Sequence, residues 1–299
     1  MDIFMSFVIP AFVGVGVGIL SGMLGIGGGT VLVPIFRLVF SMSPIMSTAT
    51  SLFTIIPTSI SGAVSHLRHK TCVPSLGIAA GLGGACTSAL GVWLAHISPA
   101  WMVMLAAALI IGYSAINMLR KAWKMKPEQA TTTSSSEGLN ENQDPSSGGV
   151  NTSDQDDVAE AGLTQSVPAG AVKLTRKQLL IGVAIGLGAG VASGYVGVGG
   201  GFIMVPLMLS LVGISMKQAS GTSLIAVMIL AVPGVIEQGL LGNIDYAAGI
   251  SVAVGSIPGA LVGARLVRKV PERALRFIFG GFLIVGAAML VINELGVLG

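Results

Sequence analysis

The sequence predicts an all-α polytopic membrane protein: two inverted repeats of about five apolar segments each, with broken or re-entrant helices at two glycine-rich motifs. Three observations lead there. Apolar residues make up 53% of the 299-residue chain and charged residues only 10%, against about 25% charged in a soluble domain. The stretch SGMLGIGGGTVLVP (21–34) returns as SGYVGVGGGFIMVP (193–206). The basic residues also change turns between the two copies of the pattern.

Composition narrows the class further. Mean hydropathy is +0.86, and most of the 43 glycines lie inside apolar runs with no collagen-like period. Membrane helices use glycine in this way, for close approach and for breaks. The net charge of +3 comes with no basic groove interleaved with aromatics, so nucleic-acid binding is not expected. The first apolar run, Ile3 to Leu20, lacks a basic start and a cleavage site and reads as a retained membrane segment. Two cysteines cannot form a disulfide framework, and Cys86, within an apolar run, reads as a small packing residue.

One interval interrupts the pattern. Residues 124–177 are rich in Ser, Thr, Gly, Asn and acids and cannot bury enough apolar surface to order themselves. They read as a flexible cytoplasmic linker between membrane repeat 1 (1–123) and membrane repeat 2 (178–299). The repeats align without gaps at an offset of 172 residues. Gly14 maps to Gly186, Gly18 to Gly190, Ser21-Gly22 to Ser193-Gly194, and Val33-Pro34 to Val205-Pro206. Thr50-Ser51-Leu52 maps to Thr222-Ser223-Leu224, and the register persists to Pro99 and Pro271. Such a register marks an internal duplication.

In order, the apolar segments of the first repeat fall near 4–24, 30–41, 48–66, 75–95 and 101–120; those of the second fall near 178–196, 202–213, 220–240, 246–267 and 274–292. The second segment of each repeat is too short for a full crossing, which takes about 20 residues, and is expected as a half-helix. In repeat 1 the basic residues follow the third segment (Arg68, Lys70) and the fifth (Arg120, Lys121, Lys124, Lys126). In repeat 2 the cluster Arg265, Arg268, Lys269, Arg273 and Arg276 surrounds the turn between the fourth and fifth. By the positive-inside rule the repeats are upside down to one another, with the linker inside and both termini outside.

The glycine triplets Gly27-Gly28-Gly29 and Gly199-Gly200-Gly201 would permit the positive φ and close approach that a helix break needs. A short helix restarting after each, at Thr30 in the first repeat, would aim free N–H groups and its positive dipole end at the break, and two such ends would suit an anion. Pro34 and Pro206 are structural members of the same motif. The paired elements STATSL and ASGTSL place Thr50, Ser51, Thr222 and Ser223 at the start of the third segment, as N-caps would stand. Their hydroxyls could donate to an oxyanion or simply bond to backbone. A dinucleotide fold would need a strand and a distant acid, and a P-loop a Gly-Lys-Ser/Thr, neither of which is here. Helix packing through small residues is the plain alternative.

Ionisable residues within apolar runs are candidates for charge compensation or ion coupling. Arg37 could counter an anion or snorkel to an interface; its match is Leu209. His66 maps to Gln238, stands near Arg68, His69 and Lys70, and reads first as an interfacial histidine. Glu237 could relay protons or sit in an exposed turn. His66, His69 and His96 are dispersed, without metal-ligand spacing.

The doubled GxGGGxxxVP (Gly25–Pro34 and Gly197–Pro206) and the doubled TSL element resemble the TauE/SafE family, the sulfite exporters also called the TSUP family. The resemblance covers all of the chain but the linker, which is longer than is usual in the family. It implies a multi-pass plasma-membrane protein exporting sulfite or small organosulfonates, coupled to a proton or sodium gradient. The expected function is therefore a secondary anion transporter working by alternating access, with no cofactor, no metal, no nucleic acid and no catalysis; a homodimer is left open. The competing readings are a cation or metal transporter, a membrane-embedded enzyme, and a non-transporting membrane protein.

Overall fold

The computed structural model describes residues 2–124 and 175–294. The expected linker lies outside the described residues, apart from Lys124 and Thr175–Lys177. The described residues form helices only: α1 (Asp2–Leu24), α2 (Gly29–Leu38), α3 (Pro44–Arg68), α4 (Pro74–Ile97), α5 (Ala100–Lys124), α6 (Arg176–Val196), α7 (Gly201–Leu207), α8 (Met216–Leu240), α9 (Tyr246–Leu266) and α10 (Glu272–Glu294). A π turn, Met208–Val212, continues α7; α2 has no such turn. Helices α2, α3, α4 and α5 begin at Gly29, Pro44, Pro74 and Ala100, and α7 to α10 begin 172 residues later at Gly201, Met216, Tyr246 and Glu272.

Local chemistry sets these starts. The hydroxyl of Ser43 accepts from the N–H of Met46, with Pro44 beginning α3. Ser215 and Gln218 form a capping box at α8, and the Asp245 carboxylate accepts from the N–H of Ala248 at α9. Helices α1, α4, α5, α6, α8 and α9 are long and apolar enough to cross a membrane. The outer surface carries Leu82, Leu109, Leu180 and Val254, while Ser21, Thr50, Ser51, Thr58 and Ser256 are buried. A soluble protein would arrange these the other way round.

Glycine governs two of the main interfaces. On α1, a Cβ at Gly14, Gly18 or Gly22 would strike the carbonyls of Val252, Ser256 or Ala260 on α9. From the other side, Gly255, Gly259 and Gly263 meet the carbonyls of Ala11, Val15 and Ile19. Helix α6 repeats this against α4, with Gly186, Gly190 and Gly194 on the carbonyls of Ala80, Gly84 and Ser88. Both pairs run parallel, backbone on backbone, as small-residue seams allow. Between the seams, α3 and α8 cross antiparallel, Gly62 lying beside Leu224 and Gly234 beside Leu52. Hydroxyls tie α3 to α9: Thr58 to Ser256 at 2.5 Å and Ser61 to the Ile257 carbonyl at 2.7 Å.

Basic residues of both repeats meet at one end. There an Arg268 guanidinium nitrogen lies 2.9 Å from His69 Nδ1, the Lys217 ammonium donates to the Arg268 carbonyl, and Glu272 pairs with Arg276 at 2.6 Å. Two sequence expectations need correction. The third segments begin four residues earlier than expected, at Pro44 and Met216. Cys86 does not pack in the core but is exposed on α4.

The seams predict a sharp contrast within α1. Gly18→Val forces the α1–α9 backbones apart and costs about 1–3 kcal/mol or more, whereas Gly16→Val points into open space and leaves the melting temperature of the purified protein within a few degrees of the parent.

Candidate functional site: the paired glycine loops

Helix α1 stops at Leu24 because the chain turns left-handed: φ is 76° at Gly25, 73° at Gly27 and 88° at Gly28. The second loop repeats this at Gly197 (72°), Gly199 (85°) and Gly200 (65°). Only glycine adopts such angles at little cost, in contrast to 1–2 kcal/mol for other residues. Each loop opens on the same bond, Gly25 N–H to the Ser21 carbonyl and Gly197 N–H to the Ser193 carbonyl, both 2.8 Å.

The two loops, so distant in sequence, meet. A Cβ on Gly29 would strike the Val198 carbonyl, and one on Gly201 the carbonyl of Gly25 and the backbone of Ile26. Ile55 of α3 packs on Gly27, Gly29 and Gly199. Both triplets are fully buried, so the unwound backbone is enclosed by protein, as the bilayer interior requires. The fit is tight enough that neither Gly29 nor Gly201 has room for a Cβ against the other loop.

Their donors are largely unspent. Helix α2 makes its first internal bonds from Val31 and Leu32 to the Gly28 carbonyl, and α7 from Ile203 and Met204 to the Gly200 carbonyl. Among the described residues, the N–H groups of Gly27, Gly28, Gly29 and Thr30, and of Gly199, Gly200 and Phe202, reach no backbone carbonyl, while Gly201 bends back to Gly199 at 2.7 Å. Buried hydroxyls without partners surround them. Ser21 sits beside Gly28, Ser59 beside Gly27 and Ser193 beside Gly200. Thr30 and Ser51 also carry buried, unpartnered hydroxyls. Native interiors satisfy most such groups, so the cluster singles out this region of the core. Ser21, Ser59 and Ser193 were not among the expected site residues. The matched Ser21-Gly22 and Ser193-Gly194 were the sequence signal that could have singled out two of them.

The TSL elements do not stand where N-caps would. Ser43 and Ser215 hold the cap positions, and Thr50, Ser51, Thr222 and Ser223 lie in the second turns of α3 and α8. Thr50 Oγ1 accepts the N–H of Asp245 at 3.0 Å, and Thr222 Oγ1 accepts that of Val73 at 2.9 Å. Each threonine thereby fixes the residue that precedes a neighbouring helix, α9 or α4. Ser223 Oγ stands 2.7 Å from the Gly25 carbonyl and 2.9 Å from the Ser220 carbonyl, tying α8 to the first loop.

The remaining candidates separate from the loops or change character. Pro34 lies inside α2, and lacking an N–H it frees the Thr30 carbonyl, which faces Gly286 of α10. Pro206 does the same in α7, just before the π turn. Arg37 occupies the last turn of α2, about 12 Å along the helix from Gly29 at 1.5 Å per residue, where a cation complements the carbonyl end. His66, read from the sequence as an interfacial histidine, is set into the protein. It is fully buried, with Nε2 2.9 Å from the Gly22 carbonyl and Nδ1 2.8 Å from Thr71 Oγ1. Glu237 is no residue of an exposed turn either: it lies within α8, half-buried, with Oε2 buried and unpartnered.

A bundle of membrane-length helices wrapped around two interrupted ones is the construction of a polytopic membrane transporter. The comparisons specify it. Residues 10–290 match the sulfite exporter TauE/SafE family, and the chain belongs to that family. It is 25% identical over 296 residues to the probable membrane transporter protein YunE of Bacillus subtilis, covering 96% of this chain and 98% of that one. It is 28% identical to YdhB of the same organism, also a probable membrane transporter protein, covering 87% and 89%. A probable membrane transporter protein of Haemophilus influenzae is 27% identical, covering 92% and 94%. No solved structure matches.

Thr50→Val and Thr222→Val each strand a backbone N–H and should destabilise the protein by about 1–3 kcal/mol. Thr→Ser at either position, which keeps the acceptor, should recover most of the loss in a detergent unfolding titration.

Proposed function

We propose that the chain is a secondary transporter that exports a small anion, sulfite or an organosulfonate, by alternating access between two inverted repeats. The observation that carries this reading is the meeting of two N–H-rich glycine loops, one from each repeat, in the core between α3 and α8. Amide N–H groups with no carbonyl partner bind negative charge and repel cations, and two helix starts add their positive dipole ends. Ser21, Ser59, Ser193, Thr30 and Ser51 supply hydroxyl donors around them.

The antiparallel crossing of α3 on α8 supports the inverted relation, because duplicated helices that run in opposite directions are related by an axis in the membrane plane. The gathering of Arg68, Lys70, Arg265, Arg268 and Arg276 at one end supports a cytoplasmic linker at that end and both termini outside. Alternating access follows from the tight loop contact: the cargo is released to one side when the loops part toward it. An ion gradient drives the cycle.

Sulfite flux tests this directly. Proteoliposomes carrying the protein should accumulate radiolabelled sulfite or a labelled sulfonate saturably, and Gly28→Leu or Gly200→Leu should reduce that flux at least tenfold with insertion intact. Undiminished flux in both variants would remove the loops from the pathway; saturable movement of a divalent cation alone would replace the anion reading.

A further inference from the structure

The two ends of the molecule differ at matched residues. At the basic end the first loop and the end of α1 that leads into it are latched. Ser223 reaches the Gly25 carbonyl, and His66 Nε2 must carry its proton to donate to the Gly22 carbonyl at 2.9 Å. Lys217 is held on the Arg268 carbonyl at 3.1 Å. At the opposite end the counterparts are unlatched. Ser51, matching Ser223, has a buried hydroxyl with no partner. Gln238, matching His66, accepts from Asn243 Nδ2 at 2.7 Å, as Thr71 engages His66, and among the described residues no bond joins it to the second loop.

At that unlatched end a half-open pocket has formed, lined by Ile45, Thr48, His96, Ser98, Tyr195 and Gln238 among others. One lining residue, Thr48, separates the pocket from the second loop, packing directly against Gly197. It leaves about 40 Å³ for the centres of water-sized molecules, a few times the roughly 10–15 Å³ that one water needs. That is room for a few waters or for one small oxyanion stripped of most of its hydration, and too little for a large organic solute. The hydroxyls of Thr48 and Ser98 are committed to the Ile45 and Leu94 carbonyls, both at 2.8 Å. Tyr195, Gln238 and His96 remain as donor-bearing side chains.

We propose that this pocket is the vestibule through which a small sulfur oxyanion passes between the second glycine loop and the face opposite the basic end, and that the chain stands open at this face while His66 and Ser223 latch the other. The inference rests on the anion-transporter reading for its ligand, but its geometry can be tested without transport.

The test uses full-length protein with Cys72→Ala and Cys86→Ala as background. Single cysteines are placed at matched positions, Thr48→Cys against Ser220→Cys and, as an independent pair, Tyr195→Cys against Met23→Cys. A charged methanethiosulfonate should label the pocket member of each pair at least tenfold faster. Ethanesulfonate, which does not consume the reagent, should slow labelling at Thr48→Cys several-fold, whereas choline at equal ionic strength should not. Adding Ser223→Ala should raise labelling at Ser220→Cys and lower it at Thr48→Cys. Equal rates within both pairs would overturn the open face, insensitivity to Ser223→Ala would overturn the latch, and equal slowing by choline would overturn the anion vestibule. Failure of the parent protein to move any sulfur oxyanion would instead sink the transport reading and leave the labelling ratio standing.

Discussion

A stretch of unwound backbone inside a bilayer has nowhere to send its N–H and C=O groups, because lipid offers no hydrogen bond. Everything around the two glycine loops answers to that constraint. The loops press on each other, Ile55 covers them, and α3 and α8 enclose them from both sides. Half of the problem is solved by local turns such as Gly25 to Ser21. The other half, the free N–H groups, is left open. In a membrane such open donors cost several kcal/mol each, which the fold must recover in packing.

That packing comes from the two seams. Without a hydrophobic driving force between helices in lipid, association depends on close van der Waals contact and a few interhelical bonds of about 0.6 kcal/mol each. Glycine at four-residue spacing on α1 and α9, and again on α6, lets backbones touch and so gives the largest contact per helix. The hydroxyls on α3 serve two ends at once. Thr54, Thr58 and Ser61 bond across to α9, while Thr50 fixes the chain entering it. A serine- and threonine-rich helix at the centre is therefore a structural need as well as a polar lining.

Much of this was legible in the sequence. The 172-residue register predicts every matched helix start after the first pair of helices, since duplicated sequence keeps duplicated caps. The triplets predict the breaks because few other residues tolerate left-handed backbone. What eluded the sequence were relations between distant residues. STATSL looks like a cap by composition, but Ser43 and Pro44 upstream start the helix first, and Thr50 serves α9 instead. His66 sits amid surface-like neighbours, yet α3 rotates it onto the end of α1. Cys86 shares its apolar run with glycines that face α6, and only the helical phase, invisible in composition, turns it outward. The mutual contact of the loops, and the difference between latched and unlatched ends, belong to the tertiary fold alone.

The π turn after α7 carries a consequence of its own. Gly213 donates its N–H to the Met208 carbonyl five residues back, whereas the first repeat closes its short helix with Val39 N–H on the Ile35 carbonyl, four residues back. No residue is inserted, since α3 and α8 begin at matched positions; the same length of chain is wound differently. A chimaera built from two first repeats would carry every glycine motif and lose this one difference in winding.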